Sequence, residues 1–185
     1  MIYFTSDWHI GHDKEFLWRP RGFNNITEMN EAIIKNCNKI LKPEDTLFIL
    51  GDLALGQNEP QWNQVYYNIN CPEIYFITGN HDTANKIKKY THEYGLTSLG
   101  EACTVKLEGY HFFLSHYPTL VGNYDDNDRP LNKRLINLCG HSHTKDRFAD
   151  FDKGLIYHVE LDAHDNQIVS LEQIIKDIHK KVINI

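Results

Sequence analysis

Five short apolar runs of this chain each deliver metal-ligand side chains just past their ends: Asp7-Trp8-His9, Gly51-Asp52, Gly79-Asn80-His81-Asp82, Ser115-His116 and Gly140-His141-Ser142-His143. Asp7 and His9 are two apart, so on an extended segment they point the same way and can share one ion. Asp52 brings two oxygens that can bridge two cations, although Gly-Asp alone also reads as a turn. Asn80 offers a neutral amide oxygen, and His81 beside it brings an imidazole, a side-chain type that can give or take a proton in catalysis. The imidazoles of His116, His141 and His143 suit zinc, iron, nickel and manganese in mixed nitrogen and oxygen sites.

The chemistry open to such a set is hydrolysis of a phosphate ester. Two divalent ions bring four positive charges and the carboxylates of Asp7 and Asp52 cancel two, leaving a site of about +2 that attracts the phosphate. A water held between the ions loses its proton easily and attacks phosphorus in line, so no covalent enzyme intermediate is needed. Taken singly, each residue has a plainer reading: Asp7 and Asn80 can cap helices, Asp52 can sit in a turn and His116 can be a satisfied strand-end histidine. The order of the motifs and their place after strands favour the joint reading, since open α/β sheets bind ligands beyond the carboxyl ends of their strands.

Other residues extend this set. His12, after Gly11, reads as surface or a substrate contact rather than a ligand. Arg19 and Arg21 lie in a Pro- and Gly-containing stretch, where they can clamp a substrate phosphate or simply face water. Arg129, Lys133 and Arg134 sit where a specificity loop can form, but Asp125, Asp126 and Asp128 argue against a simple phosphate pocket. Trp8 and Tyr117 can stack on a nucleobase, the plainer role being to fill space beside the site. His92, His111, His158, His164 and His179 read as ordinary histidines, with His158 on a strand that can border the site.

Positioning these residues requires buried strands at residues 2–5, 46–50, 74–78, 112–114 and 135–139, all aliphatic and aromatic. Residues 28–41 have helical spacing of apolar side chains, with Thr27 as N-cap and Pro43 beyond the end. Further helices are expected over 84–94 and, more weakly, 61–69. Glu108-Gly109 marks a hairpin between 101–107 and 110–114, and Asp165-Asn166 marks another between 155–161 and 168–169. Ser170 followed by Gln173 opens a final helix through about Lys181.

The chain has 185 residues, enough for one domain over 1–185 with a continuous core. A formal charge of -6 excludes a broad basic surface for nucleic acid backbones, leaving nucleic acid only as a substrate. Cys37, Cys71, Cys103 and Cys139 are scattered with no CxxC pair, and reduced, buried thiols are expected. Met1 runs straight into the first strand without a signal peptide, and no apolar stretch is long enough to span a membrane, so a cytoplasmic location is expected.

The sequence resembles the calcineurin-like metallophosphoesterase superfamily, whose five signature blocks occur here in order from Asp7 to His143. Phe4 to His12, Arg19-Pro20, Leu161-Asp162-Ala163 and Val169 to Glu172 are similar to small bacterial and phage predicted phosphoesterases of that superfamily. The resemblance implies an α/β fold, a four-layer αββα sandwich of two mixed β-sheets flanked by helices. It implies a first metal on Asp7, His9 and His143, a second on Asn80, His116 and His141, and Asp52 bridging both. His81 would be the catalytic histidine, donating to the leaving oxygen or the phosphoryl group. The cofactors implied are two divalent ions, manganese ahead of iron, zinc or nickel, and the partner a small phosphate ester. Superfamily protein phosphatases carry a second acid three positions after the bridging aspartate, where this chain has Leu55. That disfavours a protein substrate, slightly favours a diester over a monoester and leaves His81 without an assigned partner. The rival readings are a noncatalytic metal-binding scaffold for a protein partner, disfavoured because His81 and all seven ligand positions are present, and a nuclease.

Overall fold

Alternation along the first strands sets the architecture. The computed structural model describes residues 1–55, 59–122 and 129–183. In β1 (Ile2–Thr5), β2 (Thr46–Leu50) and β3 (Glu73–Ile77), successive residues face opposite sides, so each strand feeds two cores. After the short helix α1 (Glu15–Trp18), three helices cover one side: α2 (Ile26–Ile40), α3 (Glu59–Tyr67) and α4 (Ala84–His92). There Tyr3, Leu47, Ile49, Ile74 and Phe76 share a core with Met29, Ile33 and Cys37 of α2, Trp62 of α3 and Tyr90 of α4. Burial on both faces is why these strands read as unbroken apolar runs.

The other side meets a second sheet. Phe4, Phe48, Leu50 and Ile77 pack with Phe112 and Leu114 of β6 (Tyr110–Ser115), Ile136 and Leu138 of β7 (Leu135–Cys139) and Tyr157 of β8 (Ile156–His158). The first sheet has the order β4-β3-β2-β1-β9, with β4 (Thr97–Ser98) and β9 (Val169–Ser170) at its edges. Its strands are parallel except β9, which runs antiparallel to β1. The second sheet has the order β5-β6-β7-β8; β5 (Ala102–Leu107) is antiparallel to β6, and the rest are parallel. The final helix α5 (Leu171–Ile183) adds Leu171, Ile174 and Ile178 to the second core. The chain thus forms the expected pair of mixed sheets with flanking helices.

Several local expectations shift. The α2 cap is Asn25, not Thr27: its side chain accepts from Glu28 N at 2.9 Å, while Glu28 reaches back to Asn24 N at 2.9 Å. This pair of bonds, a variant of the capping box with Glu28 reaching the residue before the cap, starts the helix two residues early. The hairpin at Glu108-Gly109 forms, both residues having positive φ (46° and 85°) as a type I′ turn needs. The one expected at Asp165-Asn166 does not. Both residues are left-handed turn positions, but β8 and β9 belong to different sheets, so the chain crosses between layers there. Ser170 caps α5, accepting from Gln173 N at 3.1 Å.

Cys37, Cys71 and Cys139 are buried, Cys103 is half-buried, and none is in a disulfide. Burial pushes the Cys37 thiol up to about 12, so it stays protonated. No helix among the described residues is long and apolar enough to cross a membrane. Asp125, Asp126 and Asp128 lie outside the described residues. What matters for function is the edge where β1, β2, β3, β6 and β7 all end. A parallel bridge between Ser6 and Glu160, beyond the end of β8, ties the two sheets together there.

Candidate metal centre

At that edge the backbone is bent hard. Asp7 (φ 58°), His9 (51°), Asp52 (55°), His141 (74°) and His143 (48°) all occupy the left-handed region, five of the eight described non-glycine residues that do. Each costs about 1 kcal/mol or more, so together they absorb an appreciable part of a domain's net stability of about 5–15 kcal/mol. Such residues persist only where surrounding bonds over-determine them. Asp7 and His9 were expected to converge from an extended segment. They converge instead as two left-handed residues around Trp8, which is fully buried and donates Nε1 to Thr5 Oγ1 at 2.9 Å. Trp8 fills the core and is not available to a substrate.

The seven side chains gather around two points. In the first group, His9 Nε2 and His143 Nε2 are 3.1 Å apart, and each is 3.7 Å from Asp7 Oδ1. In the second, Asn80 Oδ1 is 2.8 Å from His116 Nε2 and 3.0 Å from His141 Nδ1, and those two nitrogens are 3.2 Å apart. Asp52 Oδ2 stands between the groups, 3.7 Å from His9 Nε2 and 3.4 Å from His116 Nε2. Ligands about 2.1 Å from one ion are themselves about 3.0–3.4 Å apart, close to these spacings.

Two further features fit cations. Asp7 Oδ1 is buried without a hydrogen-bond partner among the described residues, a costly state for a carboxylate oxygen unless something positive faces it. The glycines ahead of the ligands are spacers: a Cβ on Gly79 would stand 2.2 Å from Asp52 Oδ1, and one on Gly140 2.2 Å from Asp7 Oδ2. Gly51, at φ 93°, also lets His116 Nδ1 come within 2.4 Å of where its Cβ would be.

The electrostatics are those of acids and imidazoles competing for protons. Burial raises the Asp7 carboxyl, but the neighbouring His9, His116 and His143 outweigh it and hold it at about 2. Burial likewise opposes the charged form of His116, yet Asp52 and Asp7 push it up to about 9. Divalent cations binding here must therefore displace protons, and occupancy weakens in acid.

Buried Asp82 clips the loops together. It accepts from Asp52 N at 2.8 Å, Gly79 N at 2.9 Å and Leu53 N at 3.4 Å. His81 N donates to Asp52 Oδ1 at 2.9 Å, and Lys86 Nζ donates to the His81 carbonyl at 2.7 Å, so the backbone of His81 is fixed at both ends. Its ring remains partly exposed, 5.4 Å from that of His9, with Nε2 3.9 Å from Asp52 Oδ2. Leu55 continues the loop, donating its N–H to the Ile10 carbonyl at 3.0 Å.

A model of the calcineurin-like phosphoesterase superfamily domain matches residues 1–159, which include every residue of both groups. The chain belongs to that superfamily. An uncharacterized protein of Methanocaldococcus jannaschii is 30% identical over 182 residues, 97% of this chain and 92% of its own. The gene 66 protein of Mycobacterium phage L5 is 26% identical over 201 residues, covering 97% of this chain and 96% of its own. The crystal structure of a protein of unknown function from Aquifex aeolicus shares the fold at a TM-score of 0.69 and 24% identity, over 95% of this chain and 98% of that one. As a calcineurin-like phosphoesterase, the protein is a metal-dependent hydrolase of phosphate esters.

In this phosphoesterase the residues offered as substrate contacts fare differently. Arg21 is turned away from that role: it is buried and ion-paired to Asp162 at 2.6 Å, because its guanidinium finds acceptors behind the site rather than in it. Arg19 is exposed and paired with Glu15 one turn earlier. His12 packs its ring 5.6 Å from that of His9 and against Phe16, and burial with the neighbouring His9 and His81 lowers its pKa to about 4, so it is neutral at physiological pH. His158 is buried on β8 between Asp150 and Glu160, beside the site rather than in it. Tyr117 is half-exposed, its ring edge-on to His116 and His141. Sequence reasoning missed the roles of Asp82 and Asp162; both lay inside quoted motifs, but nothing local marked them as buried acceptors.

Proposed function

We propose that this chain, acting as one domain over residues 1–185, hydrolyses a small phosphate ester with two divalent cations, manganese favoured, and prefers diesters. Asp7, His9 and His143 would hold one cation, Asn80, His116 and His141 the other, with Asp52 shared. The observation that carries this reading is the pair of ligand-atom groups, Asp7, His9 and His143 on one side and Asp7, Asp52 and His116 on the other, each within 4.8 Å. Asn80 and His141 complete the second group through Asn80 Oδ1, 3.0 Å from His141 Nδ1. The donor set of carboxylate, amide oxygen and imidazole suits manganese as well as zinc, iron or nickel. When bound, such cations supply electrophilic charge to the phosphoryl oxygens and a nucleophilic water at neutral pH.

The chain's own residues do the rest. Asp52 faces both groups through Oδ2 while Oδ1 holds the backbone of His81. His81 presents its ring at the open side, where it can donate to the phosphoryl group or to the leaving oxygen. Diester preference is supported by Leu55, which stands three positions after Asp52 where a second acid would orient His81. The test is turnover of an aryl phosphodiester and the matching monoester by metal-stripped protein with and without manganese. Manganese-dependent hydrolysis with the diester ahead is expected; a faster monoester would reverse the preference, and equal rates with and without metal would remove the two-cation reading.

A further inference from the structure

The two halves of the centre are anchored differently, and the difference lies in one buried ion pair. Arg21 and Asp162 have side chains only 1% and 9% exposed. Arg21 donates to Asp162 twice, from Nε to Oδ1 at 3.1 Å and from Nη2 to Oδ2 at 2.6 Å. The same Nη2 donates to the Asp7 carbonyl at 2.8 Å, and Nη1 reaches the Trp8 carbonyl at 3.4 Å. On the far side, Asp162 Oδ2 lies 2.8 Å from His143 Nδ1.

These distances place a proton. Nη2 has two hydrogens, which its shorter bonds to Asp162 and Asp7 take up, so its 3.3 Å approach to His143 Nδ1 is the weakest of the three and depends on the tautomer of that ring. A lone pair on Nδ1 would face a carboxylate oxygen at 2.8 Å and be repelled. The His143 ring therefore carries its hydrogen on Nδ1, donates it to Asp162, and turns the Nε2 lone pair toward His9 and Asp7. His116, in the other group, is steadied by a backbone acceptor instead, with Nδ1 2.9 Å from the Leu50 carbonyl.

The geometry points to the Arg21–Asp162 pair as a positioning device for one of the two cation sites. It sets the tautomer of His143 and pins the turn that carries Asp7 and His9. Among the described residues its hydrogen bonds do not reach Asn80, His116 or His141. This inference rests on the two-cation reading, and Asp162 lies beyond the residues matched by the family model, 1–159.

The experiment titrates metal-stripped wild-type protein and Asp162→Asn with manganese by calorimetry, with circular dichroism and melting curves alongside. In the near-isosteric variant one ion should bind roughly 10–100-fold more weakly and the other as before. Arg21→Lys, which keeps a charge but loses the paired donors, should weaken the same ion by less. Independently of how either variant folds, nitrogen NMR of metal-free wild type at alkaline pH should show His143 with its hydrogen on Nδ1, the signal being assigned by its loss in His143→Gln. Unchanged binding of both ions by folded Asp162→Asn, equal weakening of both, or a hydrogen on Nε2 overturns the proposal. Fewer than two ions bound by wild type overturns the two-cation reading itself, and shows in the wild-type titration before any variant is made.

Discussion

Asp52→Asn is expected to lower kcat/KM by at least about a thousandfold while leaving the fold intact. Oδ2 of Asp52 faces both groups, 3.4 Å from His116 Nε2 and 3.7 Å from His9 Nε2. Asparagine keeps the shape and can still accept from His81 N through Oδ1, so the loop held at 2.9 Å survives. The charge at the shared position is what goes. One unit charge about 4 Å from another is worth roughly 4 kcal/mol at a partly buried site, a factor of about a thousand in rate. Steady-state kinetics at saturating manganese, with circular dichroism to confirm folding, provide the check. Activity within tenfold of wild type would show that Asp52 bridges nothing.

His81→Ala separates chemistry from binding. Its ring is outside both ligand groups, and its backbone is fixed by Asp52 and Lys86 whatever the side chain. Removing the imidazole should cost about 10²–10⁴ in kcat, the usual weight of a positioned proton donor, with two ions still bound. The loss should be larger for esters with poorly acidic leaving alcohols, which need the proton, than for nitrophenyl esters, which do not. Equal losses across leaving groups would assign His81 to the phosphoryl oxygens rather than to the leaving oxygen, and loss of an ion would make it a ligand.

The strands that end at the site were legible because both faces of the first sheet are buried, which leaves an unbroken apolar run in sequence. The motifs were legible because strand ends concentrate them in order. What stayed hidden was long-range or conformational. Nothing in the types of Asp7 and His9 announces φ values of 58° and 51°, since aspartate and histidine also populate ordinary regions. Arg21 reads as a solvated or substrate-facing cation because its partner, Asp162, is 141 residues away. The false hairpin at Asp165-Asn166 shows the converse: the turn signal is real, but local turn chemistry does not say whether the chain folds back on its own sheet or crosses to the other.

The most direct measurement is anomalous diffraction at the manganese edge from crystals soaked in that ion. Two peaks are expected astride Asp52 Oδ2, one enclosed by Asp7, His9 and His143 and the other by Asn80, His116 and His141. A single peak, or peaks that leave Asp52 without a cation on either side, would contradict the shared-carboxylate centre.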